Sequence, residues 1–367
     1  MDLITKNNPF IENILDGMFD WVRVLDLDDN VIYMNKAMSD ALGTSATGIK
    51  CYKLLGRCAP CSNCTSRKSI IDGSSHEKEE YIGERVFSVM SSPIKNESGE
   101  IVAIVEVLRE TTQLKRLYNN VQEQNIKLRS ELEIAKRLQS SMLPEAINDN
   151  RLCFSCRYMP CESLGGDFVD AFKIDSSHVG IYIADVSGHG VPASLLTIFL
   201  SSSLNKKLLS PANALEELFL SFNQSGLNDE LYITLFYVII DLENKSLLYS
   251  NAGLNTFPIL FGATGFELIK QPGIPISSWI DKPTYKDSCV PFHTGSRLFL
   301  YTDGLTEMRN SNGSFFSEDR LLSILNENRS TPEKLLADIE ASVKNFAGSN
   351  DKNILQDDIT MALVEMK

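Results

Sequence analysis

Residues 113–142 contain neither glycine nor proline, and this stretch limits how the rest of the chain can fold. Leu114, Leu117, Val121, Leu128, Ala135, Leu138 and Met142 occupy a and d positions of one heptad frame, and Gln124 and Glu131 interrupt the d positions. Apolar residues at this spacing lay a stripe along a helix, and about four heptads make a two-stranded coiled-coil candidate. A single amphipathic helix packed on its own domain carries the same pattern. Pro144 ends the helix, because proline has no amide hydrogen to donate. The expected organisation is a region 1–112, a helical linker 113–143 and a region 144–367. A total of 367 residues exceeds one ordinary core, so each flanking region must bury its own.

Charge narrows the function classes. The formal net charge is −13, which argues against nucleic acid as the main partner, since phosphate backbones need a basic surface. No run of about 18 apolar residues occurs, so no membrane span is expected. The first residues, Met-Asp-Leu-Ile-Thr-Lys-Asn-Asn, lack a basic-then-apolar signal pattern, and a cytoplasmic location follows as the expectation.

The N-terminal region mixes helix and strand. Phe10–Phe19 has helical apolar spacing, and Trp21–Leu27 alternates like a strand. Asp28-Asp29-Asn30 is a turn into a second strand, Val31–Asn35, and later strands Arg85–Ser91 and Ile101–Arg109 flank Asn96-Glu-Ser-Gly. The hairpin Leu27–Ala37 and the closing Arg109-Glu110-Thr111-Thr112 resemble a PAS sensor domain over about residues 8–112.

From about residue 150, strands and helices alternate. Hairpin-like turns such as Leu242-Glu-Asn-Lys point to antiparallel sheets with helices outside, an α+β layer architecture. Four short acidic motifs stand beside strand-like apolar runs. They are Gly165-Gly166-Asp167-Phe168-Val169-Asp170, Asp185-Val186-Ser187-Gly188-His189-Gly190, Thr302-Asp303-Gly304 and Asp357-Asp358-Ile359-Thr360. Hard divalent cations take oxygen ligands, and glycine lets backbone come close to a ligand. Carboxylates gathered from distant strand ends therefore predict a Mg²⁺ or Mn²⁺ site able to act on a phosphate ester.

Taken in order, and with Asn251-Ala252-Gly253, these motifs resemble the PPM-type (protein phosphatase 2C-like) metal-dependent serine/threonine phosphatases of the bacterial sporulation and stress-response branch. The lead-in Ala135–Pro144, including Gln139, is similar too. The resemblance implies a β-sandwich flanked by helices, with two metals at one end. It further implies that Asp185 bridges both ions with the Val186 carbonyl, that Asp303 and Asp357 hold one ion and Asp167 the other, and that Asp170 and Asp358 support them. The choice between Asp357 and Asp358 stays open from sequence. His189 is either a general acid for the leaving hydroxyl or a residue that holds the strand–helix turn. Leu254 replaces the histidine that related phosphatases carry after Asn-Ala-Gly. The implied substrate is a phosphorylated protein, such as an anti-sigma-factor antagonist, and the linker implies a homodimer.

Cys51, Cys58, Cys61 and Cys64 fall within 14 residues. Four thiolates at this spacing could hold Zn²⁺ or an iron–sulfur cluster, act as a redox pair, or do neither. Two other function classes therefore remain: a phosphoprotein-binding regulator without catalysis, and a redox or metal sensor built on these cysteines.

Overall fold

The structure, a computed structural model, describes residues 9–45, 47–226, 230–262, 265–327, 330–348 and 355–367. The chain divides into two compact units, Met1–Lys127 and Leu128–Lys367. The division falls inside one long helix. No described helix is long and apolar enough to cross a membrane.

In the first unit, helix α1 (Pro9–Asp16) precedes the hairpin β1 (Trp21–Leu25) and β2 (Val31–Met34). Asp29 closes that turn with φ 66°, a conformation that short polar side chains tolerate. Three helices follow, α2 (Lys36–Leu42), α3 (Cys51–Leu54) and α4 (Thr65–Asp72). Strands β3 (His76–Ile82), β4 (Arg85–Lys95) and β5 (Ile101–Glu110) complete an antiparallel sheet of order β2-β1-β5-β4-β3. Strand β3 is absent from the sequence reading, because His-Glu-Lys-Glu-Glu is polar and only Glu80 in this strand is buried. Trp21, Met38, Phe87, Val89 and Leu108 pack one side of the core.

The expected linker is the helix α5 (Thr112–Ser141). Leu114, Leu117, Val121, Leu128 and Leu138, all heptad positions, are each more than half exposed.

The second unit is a two-sheet sandwich with helices on both outer faces. Its strands are β6 (Ile147–Asn148), β7 (Leu152–Met159), β8 (Asp167–Lys173), β9 (His178–Val186), β10 (Tyr232–Asp241) and β11 (Ser246–Ala252), then β12 (Ile259–Gly262), β13 (Gly265–Leu268), β14 (Ile276–Ser277), β15 (Ser288–Pro291), β16 (Arg297–Tyr301) and β17 (Ile359–Met366). Helices α6 (Gly190–Ser203) and α7 (Pro211–Gln224) follow β9, while α8 (Asp303–Thr306), α9 (Glu318–Glu327) and α10 (Pro332–Ala347) follow β16. One sheet runs β15-β11-β10-β9-β8 with β14 on β10, and the other runs β13-β12-β16-β17-β7-β6.

Alternation sets the layers. Ile181, Ile183, Phe236 and Val238 meet Phe154, Leu298, Leu300 and Val364 between the sheets. Their strand neighbours Tyr182, Ala184, Leu235 and Tyr237 face the other way, against Leu196, Leu200, Leu215 and Leu218 of α6 and α7. Each such side chain contributes about 1.5–3 kcal/mol by leaving water. Ser210 caps α7 by accepting from Asn213 N at 3.1 Å, and Pro211 begins it. The short strands β12 to β15 escape the sequence reading because none exceeds four residues.

Candidate active site

The acidic motifs lie at strand ends, and the pairing register explains how they come together. Asp167 opens β8 and lies directly opposite Asp185, near the end of β9. Side chains so placed are about 5 Å apart, and like charges there repel. Both share the face of Val169, Ile183 and Ile181, so they stand at the rim of the space between the sheets. From the second sheet, Asp303 follows β16 and begins α8, and Asp357 and Asp358 precede β17. Thr302 N donates to Thr360 O at 3.0 Å, which ties those two ends together.

Two glycines permit the close approach. A β-carbon on Gly166 would sit 2.9 Å from the Val186 carbonyl oxygen and 3.1 Å from that of Gly188. One on Gly304 would collide with the Asp358 carbonyl. The glycines in these motifs are thus required for fit at the crossing of the two sheet ends.

The electrostatics is one-sided. Burial, followed by the charges of Asp303, Asp357 and Asp358, pushes the Asp185 carboxyl up to about 7. Burial and Asp185 raise Asp167 well above the usual range, although it accepts the Thr302 hydroxyl at 2.6 Å. Burial raises Asp357 too. Among the described residues, no cationic side chain is seen to act on Asp185. Asp303 accepts a neutral amide, from Asn255 Nδ2 at 2.9 Å.

Asp358 is placed differently from its neighbour. It is buried, Oδ1 accepts from Cys161 N at 2.8 Å, and Oδ2 accepts from Gly166 N at 2.6 Å. Both oxygens thus fix the segment 161–166, a supporting place beside Asp357. Asp170 departs from expectation. It lies three residues along β8 from Asp167, hence on the opposite face, and pairs with Lys206 Nζ at 2.6 Å.

His189 is the N-cap residue of α6 but makes no capping hydrogen bond. It is largely exposed, with Nδ1 3.1 Å from Glu162 Oε1. Leu254, in the place of the family histidine, is buried between the sheets. Asn251 holds that turn, its Oδ1 accepting from Leu254 N at 2.9 Å.

Sequence reasoning gave no role to Gln139, which quotation within the lead-in alone had marked. It is a buried polar residue near the end of α5. Its Nε2 donates to Gly165 O at 2.8 Å and to Thr197 Oγ1 on α6 at 3.3 Å, while Oε1 accepts the Tyr158 hydroxyl at 3.2 Å. Asn255 was also missed, and Thr302, quoted within its motif, was given no role; neither has a side chain whose type alone signals what it does.

Among the described residues, no three His, Cys, Asp or Glu side chains converge as a ready-made metal cage. The acidic group still fits a divalent cation in its chemistry: hard oxygen donors in mutual repulsion, with no cation among the described residues seen to relieve it. The cysteines do not fit. Cys51 is buried, Cys58 is exposed, and Cys61 and Cys64 are half-buried. Among the described residues, no three of these thiols gather around one point. The expected Zn²⁺ or iron–sulfur site at Cys51, Cys58, Cys61 and Cys64 is therefore corrected.

Residues 175–367 match the family described as stage II sporulation protein E (SpoIIE). The chain is 28% identical over 266 residues to Protein IcfG of Synechocystis sp., a stretch covering 64% of this chain and 41% of that protein. It is 28% identical over 193 residues to phosphoserine phosphatase RsbP of Bacillus subtilis, covering 51% of this chain and 47% of the relative. The chain thus spans less than half the length of both. The PP2C domain of SiaA from Pseudomonas aeruginosa superposes with a TM-score of 0.57 at 18% identity, covering 66% of this chain and 98% of that domain, which establishes the fold. Three of the four acidic motifs, those of Asp185, Asp303 and Asp357-Asp358, lie inside the matched span, and the chain belongs to the SpoIIE family.

Proposed function

We propose that the second unit hydrolyses phosphoserine or phosphothreonine esters on a protein, with Mg²⁺ or Mn²⁺ held by Asp167, Asp185, Asp303 and Asp357 and by the Val186 carbonyl. One observation carries the reading: Asp185 of one sheet is repelled by Asp303, Asp357 and Asp358 of the other, and no cation among the described residues is seen to offset them. When bound, divalent cations supply a nucleophile from water near neutral pH and offset phosphoryl charge. The chain's own residues do the positioning. Asp185 stands central, the Thr302 hydroxyl orients Asp167, and the Asn255 amide orients Asp303. Asp358 keeps Gly166 against the Val186 carbonyl by taking its amide hydrogen. Between the two neighbouring aspartates, the ligand role falls to Asp357, since both Asp358 oxygens are occupied. His189, exposed and paired with Glu162, would give a proton to the leaving seryl or threonyl oxygen.

The relative named a phosphoserine phosphatase supports the substrate class. The anti-sigma-factor antagonist inferred from the family resemblance is its natural form. The strand order β2-β1-β5-β4-β3 and the hairpin at Asp29 support a PAS-like sensor in the first unit. The exposed heptad stripe of α5 supports a homodimer through the linker. Gln139 supports control through that helix, because it joins α5 to Gly165 and to α6. The test is phosphate release from a phosphoserine protein by the full chain with Mn²⁺ or Mg²⁺. Release that Asp185→Asn and Asp303→Asn abolish is the expected result. Tight binding of the phosphoprotein without release would instead favour a non-catalytic regulator.

A further inference from the structure

The cysteines that fail as a metal site carry a different chemistry. Ser62 and Asn63 are the central residues of a turn that opens at Cys61 and closes at Cys64. The first and fourth residues of such a turn have Cα atoms within about 7 Å, close to the span a disulfide crosses. Cys61, Cys64 and Cys51 line one cavity of about 20 Å³, room for one or two water-sized molecules.

The charges around that cavity do not balance. Glu106 is taken by Arg23, whose Nε donates to its Oε2 at 2.6 Å. Glu80 is shared by two cations, Lys78 at 2.5 Å and Arg57. Three cations thus meet two carboxylates. The same Arg57 aims Nη1 at Cys61 Sγ, 3.3 Å away. Cys64 is the N-cap residue of α4, beside the positive end of an eight-residue helix. Positive charge of this kind marks sulfurs that react, as opposed to those that only pack.

We propose that Cys61 and Cys64 form a dithiol that reacts with small hydroperoxides. The Cys61 sulfur attacks one peroxide oxygen, the O–O bond breaks, and a sulfenic acid forms with release of water from hydrogen peroxide. The Cys64 sulfur then displaces the hydroxyl as a second water, leaving a Cys61–Cys64 disulfide. Two thiols are oxidised and one peroxide is reduced, and both thiol protons leave in water. Cys51 stays out, since burial holds its thiol protonated.

The disulfide would also be felt beyond the turn. Ser66 of α4 donates to Glu106 of β5, and Ser69 Oγ donates to Ser91 O of β4 at 3.0 Å. Strand β5 leads directly into α5.

The experiment treats the reduced full chain with hydrogen peroxide and maps disulfides and remaining thiols by mass spectrometry over time. The expected result is a Cys61–Cys64 disulfide at one peroxide consumed per chain. It should form about tenfold faster than Cys289, an exposed thiol of the second unit, is oxidised. Arg57→Gln should slow it, and Cys61→Ser should abolish it while sparing oxidation of Cys289. Oxidation of Cys61 and Cys64 no faster than Cys289, or a disulfide through Cys51 or Cys58 instead, would overturn the proposal. These readouts do not involve phosphate release, so they stand or fall apart from the phosphatase reading.

Discussion

Each unit buries carboxylates, and Glu106 of the first and Asp185 of the second are treated in opposite ways. Burial alone would raise the Glu106 carboxyl of the first unit, but Arg23 beside it and the hydroxyls of Ser66 and Ser91 hold it below the usual range. The Ser91 hydroxyl lies 2.9 Å from its Oε1. In the second unit Asp185 has burial and three carboxylates around it, and its carboxyl rises to about 7. A buried charge that finds its partners inside the chain is part of the core. One that meets only like charges marks a place where the partner comes from outside.

The largest effect that would break this contrast is Asp185→Asn. Phosphate release should fall by about 10³-fold or more, the scale of losing a central electrostatic group. The metal-free variant should melt no lower than the wild type, because one member of the repelling set is gone; thermal melts in chelator check this. Glu106→Ala should act in the opposite sense. It leaves Arg23 buried without its partner and should destabilise the first unit by about 3–5 kcal/mol, read by urea unfolding of the full chain. A stability change below about 1 kcal/mol there would show the pair to be dispensable.

The pH dependence sharpens the comparison. The folded Glu106 value lies below its ordinary 4.5, so its stabilisation is full above that pH and is lost as pH falls through the depressed value. Asp185 is raised from 3.8 to about 7, so the folded, metal-free state holds that proton more tightly. Its contribution to stability then falls as pH rises from about 4 to about 7. In chelator, the advantage of Asp185→Asn over the wild type should therefore grow across that window and level off above it. A gap independent of pH contradicts the assignment. The smallest effect is Asn255→Ala, which removes the amide oriented on Asp303. Mn²⁺ affinity by calorimetry should weaken by about tenfold, as for a residue that only orients a ligand.

Much of this was legible in the sequence, for physical reasons. The strands β9, β10 and β17 run largely apolar over eight or more residues, and helix α5 keeps a heptad frame that only Gln124 and Glu131 interrupt. The aspartates could be found because each stands at a strand end within three residues of a glycine or another acid. Asp358 was not separable from Asp357, since only the fold shows its two oxygens taken by amides from residues nearly 200 positions earlier. Asp170 was misjudged by its closeness to Asp167; the pleat of β8 turns it to the opposite face, where Lys206 waits. Gln139 and Asn255 were not legible, because a polar residue reads as surface until its partners are known.

The most direct test of the central claim is the melting temperature of the chelator-stripped full chain as Mn²⁺ is added, at pH 7, for the wild type and Asp185→Asn. A cation that binds the folded site and relieves its repulsion stabilises it by mass action. The wild type should melt progressively higher as Mn²⁺ rises, and Asp185→Asn should lose most of that response. Equal responses in the two proteins, or none in the wild type, would contradict the account.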